Sequence, residues 1–193
     1  MKIFQELLIF FWLAGFCLGQ NIPYQKGQWN SDEFGNHRAV IRVEAKADAV
    51  WAHIPWRRHD ANPDKKNIIL IDGRTGARVK NALPVNISRE FGDLVFQPVS
   101  GPGDYFAYYM PYKLAGSRNY PNAVYLTPEK TAESEWLARI GIIPGKSESV
   151  DLKKFPRVPV VEFQSIDEFS SFETMEVIAT AEETKSLLAK YPE

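Results

Sequence analysis

Two kinds of side chain in this sequence could do chemistry: a set of clustered rings and a scatter of carboxylates. Trp51 and Trp56 lie in one short run, and Tyr105, Tyr108, Tyr109 and Tyr112 in another. An aromatic face stacks on the C–H-rich face of a sugar much as it does on other apolar groups. Arg57, Arg58 and Asp60 follow Trp56 and could supply polar partners. Trp51, Trp56, Arg57, Tyr105, Tyr108 and Tyr112 therefore form the candidate carbohydrate-binding set. Packing in a hydrophobic core or a domain interface is the commoner use of such rings, and exposure decides between these uses.

The carboxylates point less clearly to a reaction. Glycoside hydrolysis uses two acids that flank the scissile bond. Two adjacent acid pairs occur, Asp32-Glu33 and Asp167-Glu168. The second sits in the first turn of an expected helix, where negative charge stabilises the helix dipole; the first lies in a polar arm. Asp93 and Asp104 flank a turn, and each is expected to bond its own backbone there. His37, His53 and His59 have neither the spacing nor the context of a zinc site. Ser100 stands in Ser-Gly-Pro-Gly rather than Gly-x-Ser-x-Gly, so it is no nucleophile elbow. Neither a phosphate-cradling loop nor a dinucleotide fingerprint is present. The expectation is no catalytic residue, no metal and no cofactor. Asn86-Ile-Ser88 is a glycosylation sequon, a weak signal by itself.

Short strands must position these groups. Ala39, Ile41 and Val43 alternate with Arg42 and Glu44, which predicts a strand from His37 to Glu44. A second runs from Ala49 to Trp56, with Val50, Ala52, Ile54 and Trp56 on one side and Trp51 and His53 on the other. Ile68 to Ile71 and Ala77 to Asn81 flank the turn Asp72-Gly-Arg-Thr-Gly76 and read as a hairpin. Asp93 to Gln97 and Asp104 to Tyr112 flank Pro98 to Gly103, a segment dense in strand breakers. In the second of these, Tyr105, Ala107 and Tyr109 share one face and Phe106, Tyr108 and Met110 the other. With rings on both faces, this strand belongs in the middle of a sheet.

Ala115 to Thr127 reads as a loop, and Thr127-Pro128 as a helix start. Ala132, Trp136 and Ile140 form the buried stripe of that helix. Gly141 to Lys154 reads as a loop, followed by a strand from Val158 to Gln164. Ser165 to Glu168 has capping-box spacing and opens a helical turn through Phe172. Met175 to Ala179 reads as a last strand, and Thr180 to Glu183 as a second capping box before a helix reaching Tyr191. The predicted class is mainly β: an antiparallel β-sandwich with two or three short helical insertions.

Length and composition set the frame. The chain has 193 residues, a prior for one domain. A hydrophobic share of 45% is enough for a packed core. Its 23 basic and 24 acidic residues nearly cancel, so there is no electrostatic footprint for nucleic acid or an acidic membrane surface. Residues 1–19 read as a signal peptide: Lys2 leads, Leu7 to Phe16 is the apolar run, and Cys17-Leu-Gly19 suits cleavage before Gln20. Residues 20–193 form the single sandwich domain. Cys17 is the only cysteine, so a cleaved chain has no disulfide and no thiol chemistry. The expected location is outside the cytoplasm: periplasmic, cell-surface or secreted, with no membrane segment after cleavage.

Five stretches in order carry a family resemblance: Asn36 to Val43, Ala47 to Arg58, Asn86 to Asp93, Ser100 to Tyr105 and Phe172 to Thr180. Together they resemble the N-terminal domain of glycoside hydrolase family 123-like proteins, large exported bacterial enzymes, many from Bacteroidetes. The resemblance runs from about Asn36 to Tyr191. It implies a β-sandwich that precedes a (β/α)8 catalytic barrel. Characterised family members remove N-acetyl-β-galactosamine from glycoconjugates by substrate-assisted catalysis, using an adjacent Asp-Glu pair in the barrel. This sequence is expected to stop before any barrel, so that role is carried over to neither Asp32-Glu33 nor Asp167-Glu168. The implied function is a non-catalytic accessory domain whose partner is a glycosidase catalytic domain. The alternative is a free-standing carbohydrate-binding module whose partner is a glycan.

Overall fold

The structure is a computed structural model and describes residues 22–58, 60–117, 120–143, 150–166, 185–186 and 189–190. In chain order the elements are β1 (Tyr24–Lys26), α1 (Ser31–Phe34), β2 (His37–Val43), β3 (Val50–Ile54), β4 (Ile69–Asp72), β5 (Ala82–Ile87) and β6 (Gly92–Phe96). β7 (Gly103–Tyr108), β8 (Tyr112–Ser117), β9 (Tyr120–Tyr125), α2 (Ser134–Arg139), β10 (Arg157–Val158) and β11 (Val160–Ser165) follow. Among the described residues, no helix is long and apolar enough to cross a membrane.

Two sheets face one another, as the alternation patterns predict. The first has the order β1-β11-β2-β7-β4, and the second β10-β3-β6-β5. Period-two alternation sends every other residue of each inner strand into one shared core. Ala39, Ile41 and Val43 of β2, with Tyr105 and Ala107 of β7, meet Val50, Ala52 and Ile54 of β3 and Leu94 and Phe96 of β6. One edge of each sheet departs from a purely antiparallel plan. β1 runs parallel to β11, and β10 runs parallel to β3. The chain leaves the second sheet at Val158 and enters the first at Val160, so Pro159 marks a change of sheet.

The aromatic strand is shorter than its composition suggests. β7 ends at Tyr108, so Tyr109 and Met110 both turn into the core instead of alternating. Most of the loop expected from Ala115 to Thr127 belongs instead to a β-hairpin: β8 and β9 pair from Tyr112↔Tyr125 to Ser117↔Tyr120. Gly116, in a left-handed conformation at φ 89°, lies near its tip. The expected return strand from Ala77 to Asn81 is reduced to a bridge, Ile71↔Arg78, and Ala82 instead begins β5 on the other sheet.

α2 starts at Ser134 rather than after Thr127, and the segment before it is tied to the turn at Lys80 and Asn81. The Thr131 hydroxyl donates to the Lys80 carbonyl at 2.7 Å, and the Glu133 amide donates to Asn81 Oδ1 at 2.9 Å. The stripe itself is as expected: Trp136 and Leu137 are buried, with Ala132 and Ile140 packed around them. The polar arm before His37 contains β1 and the single turn α1, capped by Asn30 Oδ1 on the Asp32 amide. Ser165 is the buried last residue of β11, and the helical turn expected after it lies outside the described residues. Asp167-Glu168, the strand expected from Met175 and the capping box at Thr180 lie outside the described residues. So do the signal-peptide residues 1–19.

Candidate functional site

The second sheet has an outer face divided in two. Near β5, α2 covers it with a small apolar cluster of Val95, Trp136, Leu137 and Ile142, against which Trp51, Leu83 and Val85 pack. Beyond that cover the same face turns polar around Asp93 on β6, which is 3% exposed. β3 pairs antiparallel with β6, setting His53 opposite Asp93 and Trp51 opposite Val95. Asp93 Oδ1 accepts from Trp51 Nε1 at 2.9 Å and lies 2.8 Å from His53 Nδ1. Asp93 Oδ2 accepts from the Asn86 amide on β5 at 2.9 Å. Burial pushes the Asp93 carboxyl up, but the donors from His53, Asn86 and Trp51 outweigh it and hold it below the ordinary carboxylate value. A carboxylate is acceptor-only, so His53 carries its proton on Nδ1.

β10 continues this face. Arg157 is aligned with Trp51 across the parallel pair, and its guanidinium lies over the Trp51 ring, 5.2 Å from the centroid. Beside it, at the sandwich edge, an open cleft of about 510 Å³ is lined by Ile22, His53, Pro55, Arg157, Val158 and Val160. A second cleft of about 500 Å³ lies against the first sheet, where Ile69 and Ile71 meet Phe34, Asp32, Glu33 and Glu129.

The six aromatic-set residues do not meet in either cleft. Trp56 is 4% exposed, Tyr105 1% and Tyr108 3%, so none of the three offers a ring face to a sugar. Trp56 donates to the Ser88 carbonyl at 3.0 Å and packs on Tyr109. Its ring lies so close to Gly92 that a β-carbon there would collide with it. Tyr105 donates to the Gly101 carbonyl at 2.9 Å and thereby fastens the turn before its own strand. Tyr108 accepts from Arg38 at 2.8 Å and stacks on Phe34 at 4.6 Å. Trp51, Arg57 and Tyr112 remain half-buried. Trp51 belongs to the second sheet and Tyr112 to the β8–β9 hairpin, where its hydroxyl lies 3.1 Å from Asn36 Oδ1. Arg57 follows β3 with a backbone φ of 25°.

The carboxylates are mostly engaged locally. Neither Asp93 nor Asp104 simply closes its own turn: Asp93 binds three side chains, and Asp104 makes a paired contact with Arg42 of β2. Asp60 holds the buried Arg58 and also Lys66. Asp72 is the carboxylate that caps its turn, accepting from the Arg74 and Thr75 amides. Among the described residues, no group of three or more His, Cys, Asp or Glu could hold a metal ion. His37 lies 6.2 Å from the Tyr109 ring, and His59 lies outside the described residues.

A family model described as Glycoside hydrolase 123, N-terminal domain, matches residues 27–166. The chain belongs to that family. The match spans both sheets from α1 to β11 and includes Trp51, His53, Asp93 and Arg157. No curated protein and no solved structure matches the chain. In this N-terminal domain, the Asp93 network and Arg157 were not singled out as site residues from sequence. The available signal was the alternation that puts Trp51 and His53 on one face of β3, opposite a strand that opens with Asp93.

Proposed function

We propose that this chain is the non-catalytic β-sandwich accessory domain of an exported glycoside hydrolase and that it packs beside a catalytic domain. The observation that carries the reading is the family match, which is specifically to the N-terminal domain. The local engagement of Asp60, Asp72, Asp93 and Asp104 supports it, because a general acid or base must be free to reach substrate. Export is supported by the leader pattern from Lys2 to Gly19, with removal before Gln20 leaving no membrane segment.

Two measurements test this function. The purified chain is assayed on p-nitrophenyl N-acetyl-β-galactosaminide, with no turnover above buffer expected. It is also co-expressed with a family 123 catalytic domain and analysed by size exclusion, with co-elution expected. Turnover by the chain alone, lost in a carboxylate variant, would overturn the accessory reading. Glycan binding is the second reading, favoured by the half-exposed ring of Trp51. It differs from the first in needing no partner domain.

A further inference from the structure

We propose that the cleft between His53 and Arg157 is an oxyanion-binding subsite that takes an acidic saccharide, one carrying a carboxylate or a sulfate. The saccharide part rests on the glycoside-hydrolase reading above; the oxyanion part rests on the cleft alone.

The lining carries one fixed charge. Among the described residues, the cleft's side chains with hydrogen-bonding groups are His53 and Arg157, and its walls are Ile22, Pro55, Val158 and Val160. Arg157 is exposed, always charged, and has no carboxylate partner among the described residues. His53 uses Nδ1 on Asp93, and its Nε2 has no partner among them. The acid behind them offers nothing to a ligand: Asp93 is buried, with one oxygen taken by Trp51 and His53 and the other by Asn86. Among the described residues, no carboxylate faces the cleft to offset the fixed positive charge of Arg157, which suits an anion.

Both groups are also held in advance. Asp93 Oδ1 bonds the imidazole of His53 and the indole of Trp51, and the guanidinium of Arg157 lies on that indole. One buried carboxylate thus orients the imidazole directly and the guanidinium through the indole, so less freedom is lost when an anion arrives. The apolar walls fit the C–H faces of a sugar ring, and about 510 Å³ lies within the size range of small-ligand sites.

The test is calorimetric titration of the purified chain with three hexasaccharides: chondroitin sulfate, hyaluronan and chitohexaose. They carry sulfate with carboxylate, carboxylate alone, and no charge. At least one acidic probe is expected to bind ten-fold or more tightly than chitohexaose, and the pair of acidic probes separates sulfate from carboxylate. Arg157→Gln is expected to weaken that binding at least ten-fold without moving the thermal melt, and Arg157→Lys to restore part of it. His53→Gln should also weaken binding; Arg157 is exposed, so its variant keeps the test valid if His53→Gln fails to fold. Equal binding of chitohexaose, unchanged binding by Arg157→Gln, or no binding of either acidic probe by the folded chain would overturn the subsite. Acidic binding by a chain that also hydrolyses the chromogenic substrate would overturn the accessory reading alone.

Discussion

Two arginines lie over tryptophan rings on opposite outer faces of the sandwich, and they differ in what else they hold. On the first sheet, Arg38 sits 3.9 Å from the Phe106 centroid and 4.5 Å from that of Trp29. Its Nε donates to Gln164 Oε1 at 2.6 Å and its Nη1 to the Tyr108 hydroxyl at 2.8 Å. Trp29 and Phe34 close over Tyr108, so this arginine is part of a finished cover. On the second sheet, Arg157 has the Trp51 ring beneath it and no hydrogen-bond partner among the described residues. A cation over a ring is worth about 0.5–1 kcal/mol at an exposed site and more when desolvated. The contact is thus similar in kind on both faces. Saturation of the remaining donors separates a structural cation from one able to meet a ligand.

The largest effect should come from removing the hub that organises the second face. Asp93→Ala leaves Trp51, His53 and Asn86 without their shared acceptor and should cost about 3 kcal/mol, read as a lower urea midpoint. Asp93 also gives a pH signature. Its folded pKa lies below the unfolded value, so its stabilisation is present above the unfolded pKa, about 4, and is lost as pH falls through the folded one. Acid unfolding below about pH 4 should therefore be shallower in Asp93→Asn than in the native chain.

On the first face, Arg38→Ala removes two hydrogen bonds and the ring contacts, for an expected loss of about 2 kcal/mol in the same denaturation assay. Tyr108→Phe deletes only the acceptor hydroxyl and should cost about 1 kcal/mol. Arg157→Gln should change stability by no more than about 0.5 kcal/mol, the usual range for a surface substitution. A loss for Arg157→Gln as large as for Arg38→Ala would erase the distinction between the two arginines.

The strands with clean alternation are legible in the sequence. The strand expected from His37 to Glu44 is His37–Val43, and that from Asp93 to Gln97 is Gly92–Phe96. The inward set of β3 and the buried stripe of α2 were also readable, because burial on one side writes a period into the sequence. The β8–β9 hairpin was not, since its exposed positions around Ala115, Gly116 and Asn122 carry no apolar period. β1 is three exposed residues whose strand character comes from pairing with β11, far along the chain. The candidate site was legible only in part. Trp51 was singled out for its ring, whereas His53 was weighed only as a metal ligand and set aside. Asp93 was read as a turn residue because its neighbours in sequence include none of the three donors that occupy it.

Residue types and their periods thus determined by themselves that this chain is a mainly β domain and which rings lie near which strands. Tertiary structure alone decided that Trp56, Tyr105 and Tyr108 are interior, and that Asp93 gathers Trp51, His53 and Asn86. It alone placed Arg157 on Trp51. The physical reason is range. A strand's in-out pattern repeats every two residues and can be read locally, whereas a hydrogen-bonded cluster depends on strand order and register, which bring together residues more than a hundred positions apart, such as Trp51 and Arg157.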